Sequence, residues 1–539
     1  MRGTVAELLR DSLSTHAHSA AQRFSVNGVW RTRSYRELAH ASALAAGALR
    51  ARGVAAGDRI ALLLRTRADW TVIELAAAQL GASLVPLYPT ATPAQIDDAL
   101  ALTAPAILIA EAGHVLPDSA AGLALGVVRI GSQDGDLGAL APSTITPESQ
   151  WEARTEPESV FTIALSSGTT GVPKGCIILH RNYAAVLTMV VAAERHPDRG
   201  FAHRASAFVY LPLAHASARL QQLTSLVVGG EIVYGSGGSR EILRQIESSN
   251  PTYLAGVPRL FETAVREAAG DPAKLRATFG GGLHYALSGG ARLPAEVQQA
   301  YSNAEILIVD GYGLTESSTA VAIGTPHAWR MGSVGRPIPG VNVAIASDHE
   351  ILVRGDNVFA GYLDDPRASN AVLRDGWLLT GDLGRVDADG FLYVTGRKKN
   401  VIVSSTGKNI QPEAYEERLR GEVGVADFVL LGDDRPYLIG LTGDPKQQRD
   451  PSSLIAALER LNAELAPPER VQKLILLGTA LTVAAGELTA SGKVVRGAVE
   501  RNHCATIEAV YRGESAQSVI DLTHRIPTKN DHVVLSETH

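Results

Sequence analysis

Short apolar runs alternate with helical patterns through the first half of the chain, and no other feature constrains the fold as strongly. The runs RIALLL (Arg59–Leu64), SLVPLYPT and APAILIAE suit buried strands, and WTVIELAAAQLGA has a helical pattern. The segments SAFVYLPL, EIVYGSG, HYALSGG and AEILIVDGYGLTE continue the series of strands. Because strands that alternate with helices form parallel sheets covered by helices, the sequence predicts βα units here.

The pattern changes after about residue 332, where short strands and tight turns replace the βα units. DADGF is a hairpin signal between two of these strands. Beyond Lys399 the order of apolar runs and helical stretches is typical of a small α+β unit, and residues 514–539 mix charges with turn formers. We therefore expect a separate C-terminal unit followed by a loosely held tail.

The first 24 residues predict an amphipathic helix rather than a signal peptide. Val5, Leu8, Leu9 and Leu13 fall on one side of such a helix. The apolar core and the cleavage site of a secretory signal are missing from this stretch.

Composition and charge exclude several classes of protein. The 539 residues carry a formal net charge of −6, which argues against nucleic acid as the main partner. No run approaches the ~18 apolar residues of a membrane-spanning helix, so no transmembrane segment is expected. Two cysteines, Cys176 and Cys504, are too few for a disulfide framework. Together these features predict a cytoplasmic protein.

The stretch LSSGTTGVPKG, Leu165–Gly175, points to phosphate chemistry. It is not a Walker A loop, because its glycines are closer together and no Ser or Thr follows Lys174. Glycines nevertheless allow close backbone approach, and successive N–H groups can form a nest for phosphate oxygens. Ser166, Thr169 and Thr170 add hydroxyl groups. We interpret the stretch as a phosphate-binding loop, and the alternative is a plain surface turn between two strands.

Further segments carry polar groups suited to a nucleotide. In DGYGLTESS, Tyr312, Thr315 and Glu316 place an aromatic face, a hydroxyl and a carboxylate on one turn, where they could stack a base, bond a phosphate and hold Mg²⁺. SGGARL is a second glycine turn after a strand, and TGDLG and TGRKKN add Asp382 and Arg397. Each segment alone is equally compatible with a cap, a solvated turn or a charged surface.

These segments follow an order that characterises one enzyme superfamily. SSGTTGVPKG, GYGLTES, GSVGRPIPG, TGDLG, GRKKNVIVSSTGKNI and LTASGK resemble the motifs of the adenylate-forming superfamily, which includes acyl-CoA synthetases, nonribosomal peptide adenylation domains and luciferases. The resemblance covers roughly residues 5–513. LPLAHASAR, YLAGVPRLFE and FGGGLHYALSGGARLP are most similar to synthetases of long-chain or bulky acids, which act in fatty acid metabolism.

The resemblance implies a fold of two domains that alternate during a two-step reaction. Residues 1–398 would form a large N-terminal domain of two βα sheets plus a small β-barrel. Residues 399–513 would form a small mobile α+β domain that swings about a hinge at Lys399, with the tail at 514–539. In the first step a carboxylate attacks the α-phosphorus of ATP, giving acyl-AMP and pyrophosphate. In the second a thiol attacks the acyl-AMP, giving a thioester and AMP.

The resemblance also implies a role for each candidate residue. Thr169, Thr170 and Lys174, with Ser166 in the same loop, would cradle the β- and γ-phosphates. Thr315 would contact the α-phosphate, and Glu316 would bind Mg²⁺. Tyr312 would stack on adenine beside Gly289, Gly290 and Ala291, and Asp382 and Arg397 would bind the ribose. Lys493 would contact the α-phosphate and the substrate carboxylate, and His215 would line the acyl pocket. A lone histidine such as His215 could equally be a packed core residue.

Three features bear on the substrate and on the second step. Gly282 and His284 occupy positions where long-chain relatives often carry arginines. The segment SSTGKNI replaces a more glycine-rich pattern at the expected thiol tunnel. The small residues Ala216, Ser217 and Ala218 after His215 leave room for a wide hydrophobic acid.

The leading hypothesis is an acyl-CoA synthetase that uses ATP, Mg²⁺ and CoA to activate a hydrophobic carboxylic acid. An alternative is an acyl-AMP ligase of lipid or natural-product biosynthesis, which stops at the adenylate or loads the pantetheine arm of a carrier protein. A non-catalytic ATP-binding regulator is disfavoured because Lys174, Glu316, Asp382 and Lys493 are all present. Nothing selects a luciferase, and the oligomeric state stays open, with a dimer as one alternative.

Overall fold

The computed structural model describes residues 3–134, 137, 140, 151, 155–166, 173–194, 205–283, 285–405, 408–489, 492–514 and 518–523. The chain divides into two compact units. The first comprises Met1–Thr380 and Gly384–Val394, and the second comprises Gly381–Leu383 and Thr395–His539.

The helices of the described residues are α1 (Val5–Thr15), α2 (Tyr35–Ala51), α3 (Ala68–Leu80), α4 (Pro93–Thr103), α5 (His180–Glu194), α6 (Ala216–Val227), α7 (Ser239–Ser249), α8 (Pro258–Ala268), α9 (Pro272–Ala277), α10 (Ala295–Asn303), α11 (Pro366–Val372), α12 (Pro412–Val423), α13 (Pro445–Arg449), α14 (Ser452–Glu464), α15 (Arg496–Asn502) and α16 (Cys504–Tyr511). Short 3₁₀ turns cover Asp118–Gly122, Thr315–Ser317, Lys398–Asn400 and Pro467–Glu469. Within the described ranges, none of the helices combines the length and the hydropathy needed to span a bilayer.

The strands of the described residues are β1 (Ala20–Val26), β2 (Val29–Ser34), β3 (Arg59–Leu63), β4 (Ser83–Pro86), β5 (Ile107–Glu111), β6 (Val127–Ile130), β7 (Val160–Ser166), β8 (Lys174–Leu179), β9 (Ser206–Val209), β10 (Glu231–Tyr234), β11 (Tyr253–Gly256), β12 (Tyr285–Ser288), β13 (Leu307–Tyr312), β14 (Ala322–Ile323), β15 (Arg336–Pro337), β16 (Asn342–Ile345), β17 (Glu350–Arg354), β18 (Gly361–Tyr362), β19 (Leu373–Arg374), β20 (Trp377–Val386), β21 (Leu392–Arg397), β22 (Ile402–Val403), β23 (Asn409–Ile410), β24 (Phe428–Leu431), β25 (Leu438–Thr442), β26 (Val471–Leu476) and β27 (Val519–Asp521).

Two large sheets dominate the first unit, as the βα pattern predicts. Among the described residues, one sheet has the order β18-β8-β7-β4-β3-β5-β6 and the other the order β15-β14-β13-β12-β11-β9-β10-β1-β2. The central pairs of both sheets are parallel, for example β3 with β4 and β12 with β13. Antiparallel strands are added at the edges, and these include β7 with β8 and β8 with β18.

The main core of the first unit lies between these two sheets. A continuous cluster of buried side chains joins Leu62 of β3 and Phe161 of β7 to Ile232 of β10, and it includes Trp70 and Leu223 from helices α3 and α6. Helix α3 is buried along its whole length, which explains why nine of its thirteen residues are apolar. Because both sheets are anchored on this core, the strand ends that carry polar residues keep fixed positions.

A smaller sheet and a hairpin lie where the sequence predicts tight turns. Strands β16, β17, β20 and β19 are joined in that order, and β21 pairs with β20. The DADGF segment connects β20 to β21, as expected of a hairpin signal. In the second unit, β24, β25, β26 and β27 form a sheet that packs with α12 and α14 around buried residues such as Leu430 and Leu458.

Two chain ends differ from the expectation. Helix α1 ends at Thr15, and Ala20–Val26 forms β1 because it pairs with the distant strand β10. Of the four apolar residues predicted on one side of the helix, Leu8 is only partly buried. At the other end, Val519–Asp521 pairs antiparallel with β26, and Leu522 is buried. This part of the expected tail is therefore built into the sheet, while 524–539 lie outside the described residues.

Candidate active site

A tight turn after β13 carries Glu316. The backbone N–H of Thr319 donates to the carbonyl of Leu314 at 2.9 Å, which closes the turn around Thr315–Ser317. Thr319 adopts a φ of 92°, a conformation that β-branched residues rarely take. Gly313 is required there, since a Cβ on it would lie 1.6 Å from the carbonyl oxygen of Thr319. The sequence GYGLTESS thus forms a constrained turn that holds Glu316 at the end of the sheet.

Glu316, Tyr362 and Lys174 meet at one place in the first unit. The hydroxyl of Tyr362 donates to Oε1 of Glu316 at 2.8 Å. The Nζ atom of Lys174 lies 4.9 Å from the centroid of the Tyr362 ring. All three residues are partly buried. The two residues that sequence motifs assign to phosphate and metal are therefore linked through a tyrosine that the motifs do not single out.

Strand pairing explains how Tyr362 reaches this position. Tyr362 pairs with Cys176 in the antiparallel ladder of β18 and β8, and β8 begins at Lys174. The preceding Gly361 has a φ of +134°, so a side chain there would be strained. Just before this strand, the N–H of Phe359 donates to the backbone carbonyl of Glu316 at 2.9 Å. One short segment therefore joins the Glu316 turn to the strand that carries Lys174.

The predicted phosphate loop connects β7 to β8. Ser166 is the last residue of β7, and its backbone lies opposite Lys174 in the ladder. The loop is thus a connection between two antiparallel strands, with Lys174 at its C-terminal end. Thr169 and Thr170 lie outside the described residues, and their part in phosphate binding stays a prediction.

The residues predicted to flank adenine lie at the carboxyl ends of two neighbouring strands. Gly289, Gly290 and Ala291 follow β12, and Tyr312 ends β13. These strands are parallel, with Ser288 opposite Asp310, so the glycine turn and the tyrosine lie at the same edge of the sheet. Gly290 has a φ of +81°. Ligands of open α/β sheets bind at such an edge, which agrees with the predicted nucleotide site.

His215 caps a helix. It precedes the first residue of α6, and its Nδ1 lies 2.9 Å from Oγ of Ser217 and accepts from the Ser217 N–H at 3.4 Å. The side chain is partly buried rather than enclosed in the core. Ala216, Ser217 and Ala218 form the first turn of this helix. The sequence did not reveal this capping contact, and the predicted place of His215 in an acyl pocket stays a proposal.

In the second unit, Asp382 and Arg397 form an ion pair. Nε of Arg397 donates to Oδ1 of Asp382 at 2.6 Å, and the Asp382 side chain is buried. The two residues predicted to bind ribose are therefore adjacent, although they are separated by 15 positions in the chain. Lys399 follows in the 3₁₀ turn Lys398–Asn400 and is exposed.

Lys493 lies on a hairpin-like turn of the second unit. Its backbone N–H donates to Oγ1 of Thr489 at 3.0 Å, and its carbonyl accepts from the Thr489 N–H at 2.8 Å. The residue keeps an exposed surface. Loss of water around the ammonium lowers the pKa of Lys493, Arg397 lowers it further, and Asp382 opposes the shift. The Lys493 ammonium therefore lies within electrostatic range of the predicted ribose-binding pair.

One departure from the long-chain pattern has a steric reason. The N–H of Gly282 donates to Oδ1 of Asn250 at 2.8 Å, and a Cβ on Gly282 would lie 2.5 Å from the same oxygen. An arginine at this position would require Asn250 to move. His284 and the residues Thr406 and Gly407 of SSTGKNI lie outside the described residues.

The donor set suits a magnesium ion that is bound together with nucleotide phosphates. Mg²⁺ is usually held by one or two carboxylates plus phosphates and water rather than by a complete protein cage. Glu316 supplies one such carboxylate beside Lys174, a cation suited to phosphate. No group of three or more potential metal ligands occurs in the described part of the chain. A single carboxylate such as Glu316 therefore fits a Mg²⁺ ion that is also bound by nucleotide phosphates.

Comparisons with known proteins identify the family of this chain. The model of the family described as AMP-binding enzyme matches residues 11–363, and the AMP-binding enzyme C-terminal domain matches residues 399–515. The chain belongs to the AMP-binding enzyme family. It has the adenylate-forming enzyme fold and is an AMP-forming acid–CoA ligase, which converts a carboxylic acid to an acyl-AMP and then to a CoA thioester.

Two curated relatives and one solved structure illustrate the similarity. The chain is 32% identical to a long-chain-fatty-acid–CoA ligase, FadD15 of Mycobacterium bovis, over 91% of this chain and 94% of the relative. It is 30% identical to a feruloyl-CoA synthase of Amycolatopsis, over 87% of this chain and 93% of that one. The o-succinylbenzoate CoA synthetase of Bacillus subtilis, solved with its acyl-adenylate intermediate, aligns with a TM-score of 0.76 at 22% identity, covering 92% and 97% of the two chains.

Proposed function

We propose that this AMP-forming ligase activates a hydrophobic carboxylic acid with a long or bulky body. The observation that supports the adenylation step is the meeting of Lys174 and Glu316 at Tyr362, since it would supply a cation and a carboxylate for a Mg²⁺–ATP complex. The segment LPLAHASAR, which resembles the long-chain group, supports the choice of acid.

The two curated relatives described above are named for two classes of acid. One is named for a long-chain fatty acid and the other for ferulate, an aromatic acid. Both names describe carboxylates with a large apolar portion. The small residues Ala216, Ser217 and Ala218 lie beside His215, the residue proposed for the acyl pocket. A wide apolar pocket there would accept either class of acid.

The first unit would stabilise the phosphates during adenylation. Phosphoryl transfer depends mainly on positioning and on compensation of charge at the phosphate oxygens. Lys174, with Ser166, Thr169 and Thr170, would bind the β- and γ-phosphates, and Thr315 the α-phosphate. Tyr312 would stack on adenine beside Gly289, Gly290 and Ala291. Glu316 would hold Mg²⁺, which when bound offsets negative charge on the phosphates.

The remaining roles are proposed for Asp382, Arg397 and Lys493. Asp382 would accept from the ribose hydroxyls, with Arg397 beside it. Lys493 would stabilise charge on the α-phosphate and on the attacking carboxylate. We propose domains at residues 1–398 and 399–513, with the hinge at Lys399, whose exposed position in a short turn would allow its torsions to change.

Pyrophosphate release tests the substrate and the acceptor together. The protein is incubated with ATP, Mg²⁺ and a panel of acids: palmitate, oleate, ferulate, a bicyclic acid, benzoate, acetate and amino acids, each with and without CoA. We expect the long or bulky hydrophobic acids to exceed acetate, benzoate and amino acids by at least about tenfold, with thioester formed only when CoA is present. A preference for an amino acid or acetate would contradict the proposal.

The same assay distinguishes the alternative. An enzyme that accumulates acyl-AMP without consuming CoA would instead load a carrier protein, and a pantetheinylated carrier would then replace CoA in the assay. A cytoplasmic location is also proposed, supported by the use of ATP and CoA and by Cys176 and Cys504, which are not joined in a disulfide. Gel filtration would decide whether the protein is a dimer.

A further inference from the structure

We propose that Tyr362 is a positioning residue for the phosphate and metal end of the site. Its hydroxyl orients the Glu316 carboxylate, and its ring supports the Lys174 ammonium. The inference rests on the proposed function, in which Glu316 binds Mg²⁺ and Lys174 binds phosphate. No sequence motif used above assigns a role to Tyr362.

The Tyr362 hydroxyl determines the orientation of the Glu316 carboxylate. Tyr362 donates to Oε1 of Glu316 at 2.8 Å, and among the described residues Oε2 accepts no hydrogen bond. The same segment also fixes the backbone of Glu316 through the N–H of Phe359. A carboxylate held at one oxygen and at its backbone can offer the second oxygen to a cation in a fixed direction. Such supporting hydrogen bonds orient metal-binding groups.

The ring supplies a second, independent contact. The Lys174 ammonium lies 4.9 Å from the ring centroid, within the distance of about 6 Å at which a cation is attracted to an aromatic face. Lysine has a flexible four-carbon stem, so a fixed partner restricts where its charge lies. The contact keeps the ammonium near Glu316 without requiring a direct ion pair between them.

Contacts with neighbouring residues restrict the position of the Tyr362 ring. The backbone N–H of Tyr362 donates to Oγ of Ser369 at 2.9 Å, and the strand is paired with β8. Phe359 packs edge-to-face on the ring, with centroids 5.0 Å apart and an interplanar angle of 74°. Groups that must be held in a catalytic geometry need this kind of support. Tyr362 can therefore impose its position on both charged neighbours.

Two substitutions separate the hydroxyl from the ring. Tyr362→Phe removes only the hydrogen bond to Glu316, whereas Tyr362→Leu also removes the aromatic face below Lys174. Tyr393 offers a matched control, because its hydroxyl donates to Asp387 at 3.2 Å and Arg385 lies 3.9 Å from its ring centroid. Tyr393→Phe thus removes the same type of hydrogen bond at a place with no proposed role in the reaction.

The measurements are the Mg²⁺ dependence of ATP–pyrophosphate exchange and the calorimetric affinity for ATP with and without Mg²⁺. For Tyr362→Phe we expect the half-saturating Mg²⁺ concentration to rise about 10-fold, with Mg²⁺-free ATP binding, the KM for the acid and the thermal midpoint unchanged. For Tyr362→Leu we expect Mg²⁺-free ATP binding to weaken as well, by about 2- to 5-fold. Tyr393→Phe should match the wild type.

A Tyr362→Phe protein with wild-type Mg²⁺ dependence would overturn the proposal. So would an equal loss of every parameter together with a lower thermal midpoint, since that pattern belongs to a purely structural tyrosine. If the wild-type protein binds ATP in a Mg²⁺-dependent manner but exchanges no pyrophosphate with any acid, the proposed function fails instead. The calorimetric comparison of the variants would still decide the role of Tyr362.

Discussion

Two glutamates of the first unit show opposite ways of accommodating a carboxylate. Glu74 of α3 is buried, and it accepts from Nε of Arg219 at 2.6 Å and from Nε2 of Gln222 at 2.7 Å. Glu316 is only partly buried, and Tyr362 donates to one of its oxygens. Within the described residues, no cation lies within ion-pair distance of Glu316, whereas Arg219 lies against Glu74 and over the ring of Phe161.

The two glutamates differ in the source of the positive charge that compensates the carboxylate. A buried carboxylate costs several kcal/mol unless the protein supplies a cation and hydrogen bonds. Glu74 has both, so its charge is neutralised within the fold. Glu316 remains near solvent and is oriented without being neutralised, so a ligand can supply the positive charge. Contacts of this kind distinguish Glu74, whose charge is compensated inside the fold, from Glu316, which is proposed to bind Mg²⁺.

The strongest test of this comparison is Glu316→Gln. The substitution keeps the shape and the contact with Tyr362 but removes the charge. We expect ATP–pyrophosphate exchange to fall by about 10³-fold or more, because charge stabilisation at the phosphates is lost. The free energy of unfolding should stay within about 0.5 kcal/mol of the wild type. Glu296→Gln, at an exposed position of α10, is the control. Near-normal exchange in Glu316→Gln would remove the basis for the assignment.

Lys493→Ala applies the same comparison to two cations, Arg219 and Lys493. Arg219 is fixed by Glu74, whereas Lys493 lies on an exposed turn with a lowered pKa. Loss of one preorganised charge contact typically reduces a rate by about 10²–10³-fold. We expect that loss in acyl-AMP formation, measured by single-turnover quench.

The second half-reaction provides the internal control for Lys493. Attack of CoA on supplied acyl-AMP should change by less than about fivefold if Lys493 acts only in adenylation. Equal losses in both half-reactions would contradict this division of roles, and adenylation within a few-fold of the wild type would exclude a catalytic Lys493.

Glu74→Gln should lower the stability of the protein and leave its activity nearly unchanged, which is the opposite of the result expected for Glu316→Gln. Removing the carboxylate leaves the buried Arg219 charge without its partner, which typically costs about 3–5 kcal/mol of stability. Chemical denaturation should show this loss, while exchange by the folded protein at 25 °C should remain within about twofold of the wild type. If stability were unchanged, the Arg219 guanidinium would have to be compensated by other groups, and the contrast with Glu316 would be weakened.

Local patterns predicted most of the fold. The run Arg59–Leu64 corresponds closely to β3 (Arg59–Leu63), because a short apolar run between turn signals specifies a buried strand on its own. The helix predicted for residues 1–24 was too long, since Ala20–Val26 becomes a strand only through its pairing with β10. Likewise, β27 depends on β26. Elements that require a distant partner were the ones that the sequence missed.

The candidate site shows the same limit. Lys174 and Glu316 were identified because they occur in recognisable motifs. Tyr362 lies 46 positions from Glu316, and the Glu74–Arg219 pair spans 145 positions. A single sequence contains no signal that relates residues so far apart. Their association follows from strand register and helix packing, which only the folded structure provides.

The pairing of β18 with β8 has a consequence for how this chain can tolerate changes in length. Successive side chains of a strand point to opposite faces, so a shift of one residue exchanges the faces. Deleting a single residue between Asn357 and Ala360 would slide β18 along β8 and direct Tyr362 away from Glu316. Surface loops elsewhere can gain or lose residues with small entropic effects. The length of this segment therefore determines whether Tyr362 reaches Glu316, and homologues that keep the two residues in contact are expected to keep its length.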